Sequence, residues 1–189
     1  MLKTVTSYIK SIRLLPHLAV FYTSKQKEML VYERDKWLES HRINKTGIRG
    51  LLLLLNSLPE YRTLFYFRTG AWWLDFFAHR QNNLEFYSES DRIGWGLIIW
   101  HGFSSVINAK HIGHNCQIWQ NVTIGKKTET AEDDRPEIGN GVRICSGAIV
   151  VGDIKIGNNS TIGAGSVVVK NVSSDQLVVG QPSRSLNIR

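Results

Sequence analysis

Aliphatic residues recur at every sixth position in the last third of the chain, a spacing typical of neither an α-helix nor a flat sheet. A second small or apolar residue stands at the fifth position of each repeat. The six-spaced residues are Ile138, Ile144, Val150, Ile156, Ile162 and Val168, and their companions are Val142, Ala148, Ile154, Ser160, Ser166 and Val172. Two inward positions in six residues describe one flat side of a triangular coil, and successive turns pair as parallel strands about 4.8 Å apart. The pattern predicts a mainly β protein, a left-handed parallel β-helix of hexapeptide repeats.

The period extends upstream with one interruption. Val106 lies seven residues after Ile99, which predicts one inserted residue near His101. The residues that keep the spacing ahead of the main run are Ile93, Ile99, Val106, Ile112, Ile118 and Ile124. We therefore expect the β-helix to occupy residues 89–189, including a C-terminal tail.

A polar segment interrupts the coil at residues 126–136. Ile124 and Ile138 are fourteen residues apart, two more than two full repeats, and the residues between them are charged and end in Pro136. The segment predicts a loop extruded from the coil, which is a common place for function on a repeat fold.

Residues 1–88 lack the six-residue period and predict an α-helical N-terminal region. Its second half is dense in aromatic residues, with Arg62 and Arg68 interleaved. These are Tyr61, Phe65, Tyr66, Phe67, Trp72, Trp73, Phe76 and Phe77. Two interpretations stay open: the helices cap the end of the β-helix and pack between subunits, or the aromatic segment contacts a membrane surface.

Composition narrows the class of partner. The chain has 189 residues, a formal net charge of +7 and two cysteines. The basic residues are scattered and no nucleic-acid-binding motif is present, so we expect an anionic small molecule, a phosphorylated cofactor or an anionic lipid surface rather than nucleic acid.

Cys116 and Cys145 make no disulfide framework, and the longest apolar run, residues 51–55, is too short to span a bilayer. We expect a cytoplasmic protein, at the inner face of the membrane if the aromatic segment contacts lipid.

His101 is the candidate for chemistry. It follows four apolar residues, precedes Gly102 and stands where the repeat gains its extra residue. A kinked coil can turn the imidazole outward, and an imidazole with its ordinary pKa near 6.5 can accept a proton from a hydroxyl at neutral pH.

The segment Ile-Ile-Trp-His-Gly-Phe-Ser-Ser-Val-Ile-Asn at residues 98–108, the hexapeptides, and the closing Val-Gly-Gln-Pro-Ser-Arg at residues 179–184 resemble the serine acetyltransferase-like branch of hexapeptide acyltransferases. That branch contains serine O-acetyltransferases and the O-acetyltransferases of capsule and exopolysaccharide biosynthesis. The resemblance implies a homotrimer that binds acetyl-CoA between adjacent β-helices. It also implies that His101 deprotonates a hydroxyl, which attacks the thioester directly while backbone amides stabilise the oxyanion.

The resemblance also implies a set of cofactor contacts. Ser146 and Ala164 correspond to positions along the pantetheine arm. Val169 and Lys170 correspond to the adenine and phosphate end, and Arg184 to the basic residue after the closing proline. Cations there suit a cofactor rich in phosphate, although ordinary surface cations are the alternative for these two basic residues.

Three departures from the serine acetyltransferase pattern concern the acceptor. Trp100 stands where those enzymes place an aspartate, and the extruded loop keeps Arg135 but lacks the following histidine. Phe86 stands where they place the aspartate that orients the catalytic imidazole, so Glu85 or Asp91 would have to substitute. Because an aromatic ring can stack on a pyranose, these departures predict a saccharide acceptor bound at Trp100 and Arg135, with serine as the alternative.

Two other classes remain as rivals. The same fold serves zinc-dependent carbonic anhydrases, for which His101, His111 and His114 would be the candidate ligands, but His111 and His114 are three residues apart and should point in different directions. We therefore expect no metal. A non-catalytic scaffold is the second rival, whereas a nucleotidyltransferase is excluded because no room remains for a nucleotide-binding domain.

Overall fold

The computed structural model describes residues 12–128 and 134–180. Within these residues the N-terminal region forms four α-helices, followed by a 3₁₀ helix at Trp72–Phe76. The α-helices are α1 at Leu15–Thr23, α2 at Lys27–Ser40, α3 at Gly47–Ser57 and α4 at Pro59–Thr69. Proline stands in the first turn of α1 and of α4, where no helical N–H is lost, and Gly70 ends α4 in the left-handed conformation.

Thirteen short strands, all paired in parallel, follow in the described part of the chain and form three sheets that face one another as a triangular prism. Face A contains β1 at Leu84–Phe86, β3 at Ser105–Ile107, β6 at Thr123–Gly125, β9 at Ile149–Val151 and β12 at Val167–Val168. Face B contains β4 at His111–Ile112, β7 at Glu137–Ile138 and β10 at Lys155–Ile156. Face C contains β2 at Ile98–Ile99, β5 at Gln117–Ile118, β8 at Arg143–Ile144, β11 at Thr161–Ile162 and β13 at Leu177–Val178.

The inside of the prism is filled by the residues that the six-residue period singles out. All six aliphatic residues from Ile138 to Val168 are at most 4% exposed. Of their fifth-position companions, all except the half-buried Val172 are buried as well. The predicted parallel β-helix is therefore confirmed, and its core is a column of aliphatic layers. The first strand, β1, lies ahead of residue 89, at which the sequence predicted the coil to begin.

The interruption near His101 is larger than predicted. Ile99 pairs with Ile118, and Ile107 pairs with Ile124. Ile107 therefore lies eight residues after Ile99, whereas in the next coil Ile124 lies six residues after Ile118. Ile107 is fully buried while Val106 is half-buried. The prediction of one inserted residue ending at Val106 is wrong, because the insertion comprises two residues and moves the inward position to Ile107.

The loop predicted at residues 126–136 falls between β6 and β7. Ile124 on face A and Ile138 on face B are consecutive inward positions fourteen residues apart, where a regular step takes six. The spacing therefore exceeds one regular step by eight residues, where the comparison with two full repeats gave an excess of two.

Asp134 ties the end of this loop to the coil. Its carboxylate accepts hydrogen bonds from the backbone N–H groups of Lys127 at 3.1 Å, Thr128 at 2.9 Å and Asp153 at 2.7 Å. Desolvation acts to raise the pKa of Asp134, but these hydrogen bonds together outweigh it and hold the pKa below its usual range. The ionised carboxylate is therefore the form that fixes the loop.

A buried ion pair joins the helices to the first coil. The Nη2 atom of Arg68 on α4 lies 2.7 Å from Oε1 of Glu33 on α2, and both side chains are at most 2% exposed. Arg68 also donates to the carbonyl oxygens of Ile93 and Gly94, each at 2.8 Å. Burial raises the pKa of Glu33, against the opposing effect of Arg68. The pair bonds two helices and the start of the β-helix together.

The aromatic segment divides into a buried and an exposed part. Tyr61, Phe65 and Tyr66 are at most 2% exposed and belong to the helical core. Trp73 and Phe76, by contrast, are 56% and 85% exposed. Among the residues that the structure describes, no helix combines the length and the apolar character needed to cross a bilayer.

Candidate active site

His101 lies on a turn that joins face C to face A, which we call the C/A corner. In each coil this corner contains one residue with a left-handed backbone: Ser104, Asn121, Gly147 and Gly165, with φ of 53°, 57°, 71° and 68°. The two-residue insertion adds His101 and Gly102 to the first of these turns, with φ of 63° and 40°. A histidine in this sparsely populated region is a strained conformation of the kind found at functional sites. The insertion leaves the His101 side chain exposed.

The later turns of the C/A corner stack beneath this histidine. Gly147 N–H donates to the Gln120 carbonyl oxygen at 3.0 Å, and Gly165 N–H donates to the Ser146 carbonyl oxygen at 2.9 Å. With strands about 4.8 Å apart, Ser146 stands two coils and roughly 10 Å from His101, and Ala164 one coil further. The structure thus aligns His101, Ser146 and Ala164 along one edge of the prism.

The other predicted contacts stand at a different edge. Val169 and Lys170 follow β12 and Arg135 precedes β7, so all three lie where face A meets face B. Val169 and Lys170 are exposed and Arg135 is half-buried. Arg135 lines a cavity of about 240 Å³ together with Tyr87, Glu89, Arg92 and Lys110. Within one chain these residues are separated from His101 by the width of face A, and Arg184 lies outside the described residues.

Trp100 is engaged in contacts within the protein. Its ring stacks on His41 with a centroid distance of 4.6 Å and lies 6.1 Å from the ring of Trp119. Its indole N–H donates to Oε1 of Gln117 at 3.1 Å, and the residue is half-buried. A ring held in this way offers little surface for stacking a sugar.

None of the carboxylates predicted to orient His101 stands at the first turn of the C/A corner. Phe86, which stands where the serine acetyltransferase pattern places the orienting aspartate, stacks on Phe67 with a centroid distance of 4.2 Å. Glu85 is exposed on β1 of face A. Asp91 belongs to a 3₁₀ helix at Ser90–Arg92 and lines a cavity beyond that corner.

That cavity has a volume of about 660 Å³, and His101 is not among the residues that line it. It lies beside the turn between faces B and C and is lined by Trp95, His111 and His114, among others. His114 Nδ1 accepts a hydrogen bond from Trp95 N–H at 3.1 Å. In residues 12–128 and 134–180, no three histidine, cysteine or acidic side chains converge as metal ligands.

A contact that the sequence analysis missed lies beneath the insertion. A methyl group on Gly102 would stand 3.0 Å from side-chain atoms of both Ile99 and Leu84 and 3.2 Å from Cγ of Glu60. Gly102 is buried, and Glu60 is half-buried in the first turn of α4. Glu60 carries no periodic signal and is 41 residues from His101 in sequence, so only the packing of α4 on the coil reveals it.

Comparisons with known proteins identify the repeats and the relatives. The bacterial transferase hexapeptide model, comprising six repeats, matches residues 135–170. Serine acetyltransferase from Synechococcus elongatus is 45% identical over 94 residues, which cover 49% of this chain and 38% of that protein. The chain therefore spans well under two thirds of the length of this relative.

Solved structures share the fold over nearly the whole chain. The Neisseria gonorrhoeae serine acetyltransferase superposes with a TM-score of 0.68 at 24% identity, covering 100% of this chain and 81% of that one. A serine acetyltransferase in complex with CoA superposes with a TM-score of 0.66 at 19% identity, covering 94% and 82%. The predicted left-handed β-helix with a helical N-terminal region is confirmed.

The prediction of a saccharide acceptor is wrong. Relatives that match at 41% to 45% identity are serine acetyltransferases, and so is the Neisseria gonorrhoeae structure that superposes on the chain. The physical reason is that Trp100, from which the saccharide was argued, packs on His41 and bonds to Gln117. The chain has the hexapeptide-repeat acyltransferase fold, and serine acetyltransferases are its homologues.

Proposed function

We propose that the protein is an acetyl-CoA-dependent serine O-acetyltransferase, the alternative that the sequence left open. The observation that carries this proposal is the 45% identity to a serine acetyltransferase over 94 residues. The exposed, strained His101 on an insertion at the C/A corner supports it, because the chemistry needs a base that a hydroxyl can approach.

In the proposed reaction His101 accepts the proton of the serine hydroxyl as its oxygen attacks the thioester carbonyl carbon of acetyl-CoA. The tetrahedral oxyanion then collapses, the carbon–sulfur bond breaks, and the sulfur takes the proton from the imidazolium. The products are O-acetylserine and CoA as its thiol. A thioester is already activated, so a base, alignment and backbone N–H donors for the oxyanion are sufficient.

We place the pantetheine arm of acetyl-CoA along the C/A corner. Ser146 and Ala164 are small residues on the turns stacked beneath His101, so an extended chain can run along them without obstruction. Val169, Lys170 and Arg184 would contact the adenine and phosphate end, where cations offset phosphate charge. The complex of a structurally similar serine acetyltransferase with CoA supports acetyl-CoA as the co-substrate.

We further propose that the site is completed in a homotrimer. Arg135 and Lys170 lie across face A from His101 in the same chain, so a neighbouring copy would have to supply them. Ile149 and Val167 are paired neighbours on face A and are 37% and 62% exposed, and such adjoining apolar side chains suit burial against a second copy. In this arrangement Arg135 would bind the carboxylate of serine.

We also propose that the protein acts in the cytoplasm and contacts the inner face of the membrane. The exposed Trp73 and Phe76, with Arg80 placed 5.1 Å over the ring of Trp72, form a patch of the type that lies at lipid headgroups. Co-sedimentation with vesicles containing anionic lipid tests this contact, and unchanged recovery in the supernatant would contradict it.

Thiol release from acetyl-CoA, with mass analysis of the product, tests the proposed reaction. Serine should yield CoA and O-acetylserine in equal amounts, whereas alanine, which keeps the amino and carboxyl groups but lacks the hydroxyl, should yield neither. Binding of acetyl-CoA without any product from serine would contradict the proposal. Absence of acetyl-CoA binding would favour a non-catalytic scaffold.

A further inference from the structure

Glu60 packs against Gly102, the residue that follows His101. A general base benefits from a carboxylate that orients its imidazole and stabilises the imidazolium formed as the proton is taken. The aligned position carries Phe86, whose ring is stacked on Phe67. Glu85 and Asp91 lie on other parts of the coil. The helical layer, rather than the β-helix, is therefore the remaining source.

The start of α4 brings Glu60 against the insertion that carries His101. Cγ of Glu60 lies 3.2 Å from the position that a Cβ on Gly102 would take. The Cα atoms of His101 and Gly102 are consecutive and so about 3.8 Å apart. The side chains of Glu60 and His101 therefore start close enough together for a carboxylate to reach an imidazole. A side chain at position 102 would meet Glu60, so glycine there permits the close approach of α4.

The Glu60 carboxylate is available for this contact. Within the part of the chain that the structure describes, no hydrogen bond or ion pair to it is found, although it is half-buried. The nearest basic residue in sequence, Arg62, donates instead to the carbonyl oxygens of His79 at 2.6 Å and Leu55 at 2.7 Å. Glu60 interacts electrostatically with Arg62 but accepts no hydrogen bond from that guanidinium, so its oxygens can turn to the neighbouring imidazole.

We propose that Glu60 is the positioning residue of His101: it orients the imidazole and stabilises its protonated form during acetyl transfer. This rests on the proposed function, in which His101 is the base. The other titratable or charged groups on elements around this turn are His41, stacked on Trp100, Glu85 on β1, and Arg62, bonded to backbone carbonyls. A helix thus supplies the carboxylate that the coil lacks.

Glu60→Gln keeps the shape of the side chain and removes its charge, and Glu85→Gln is the matched control on the coil. In the serine acetylation assay we expect Glu60→Gln to lower kcat about tenfold to a hundredfold and to move the acid limb of the pH profile to lower pH, by about half a unit or more. Glu60→Asp should recover part of the loss, and Glu85→Gln should change neither quantity. Unchanged kcat and an unchanged acid limb in Glu60→Gln would overturn the proposal.

A second readout separates this inference from the proposed reaction. The imidazole titration of His101, followed by NMR in the full chain and assigned by its absence in His101→Asn, needs no substrate. Its midpoint should lie at lower pH in Glu60→Gln than in the unaltered protein, because the carboxylate stabilises the imidazolium. A coincident titration in both proteins refutes the role of Glu60. A shifted titration in a protein that does not acetylate serine would refute the proposed reaction alone.

Discussion

Replacing Glu33 with alanine leaves the Arg68 guanidinium buried without its carboxylate. The Arg68 side chain is 0% exposed, and its remaining hydrogen bonds run to backbone carbonyl oxygens. Breaking a buried pair by removing one partner costs about 3–5 kcal/mol, because an uncompensated charge stays in a medium of low dielectric. We expect Glu33→Ala to lower the free energy of unfolding by this amount, a large fraction of the stability of an ordinary domain.

Urea unfolding at neutral pH measures this loss, and Lys36→Ala is the matched control on the same helix. Lys36 pairs with Glu39 at 3.0 Å, but the side chains are 33% and 72% exposed, so its removal should cost about 0.5 kcal/mol or less. Replacing both Glu33 and Arg68 with methionine should recover part of the stability, because no charge then remains buried. A loss below about 1 kcal/mol for Glu33→Ala would refute the reasoning that the pair holds the helices on the coil.

Three further predictions concern other parts of the molecule. Burial, aided by nearby arginines, lowers the pKa of His17 from 6.5 to about 4. Because the unfolded state then binds a proton more readily than the folded state, the free energy of unfolding should fall as the pH drops from about 6.5 to 4. Urea unfolding of His17→Gln should show a smaller fall over the same pH range. Asp134→Asn removes the anchor of the extruded loop, and faster trypsin cleavage there, with an unchanged melting temperature, should result. Ser146→Phe should raise the KM for acetyl-CoA at least tenfold, whereas Ser173→Phe, on another side of the coil, should leave it unchanged.

The β-helix could be predicted from sequence because its core repeats in register with the chain. The six-spaced aliphatic residues from Ile138 to Val168 occupy equivalent buried positions on successive faces of the coil, so their spacing alone identifies the inward positions. The insertion near His101 was located but counted as one residue instead of two, since Val106 and Ile107 are both aliphatic and only strand pairing shows which one faces inward.

The environment of the candidate site could not be predicted in the same way. Trp100 and Gly102 meet His41 and Glu60, contacts that depend on how non-repeating helices pack on the first coil. The local context of His101 predicts it as the catalytic base, whereas the free aromatic face predicted for Trp100 is covered by His41. Residues that were grouped by resemblance, such as Ser146 and Lys170, prove to stand on different edges of the prism.

The proposed function depends on His101 acting as the base for acetyl transfer to serine. Steady-state kinetics of His101→Ala, with acetyl-CoA binding measured in parallel by calorimetry, test this most directly. We expect a loss of at least a hundredfold in kcat with the dissociation constant of acetyl-CoA changed less than about threefold, because a positioned base contributes about 10²–10⁴-fold and does not hold the cofactor. Turnover of serine by His101→Ala within about threefold of the unaltered protein would contradict it.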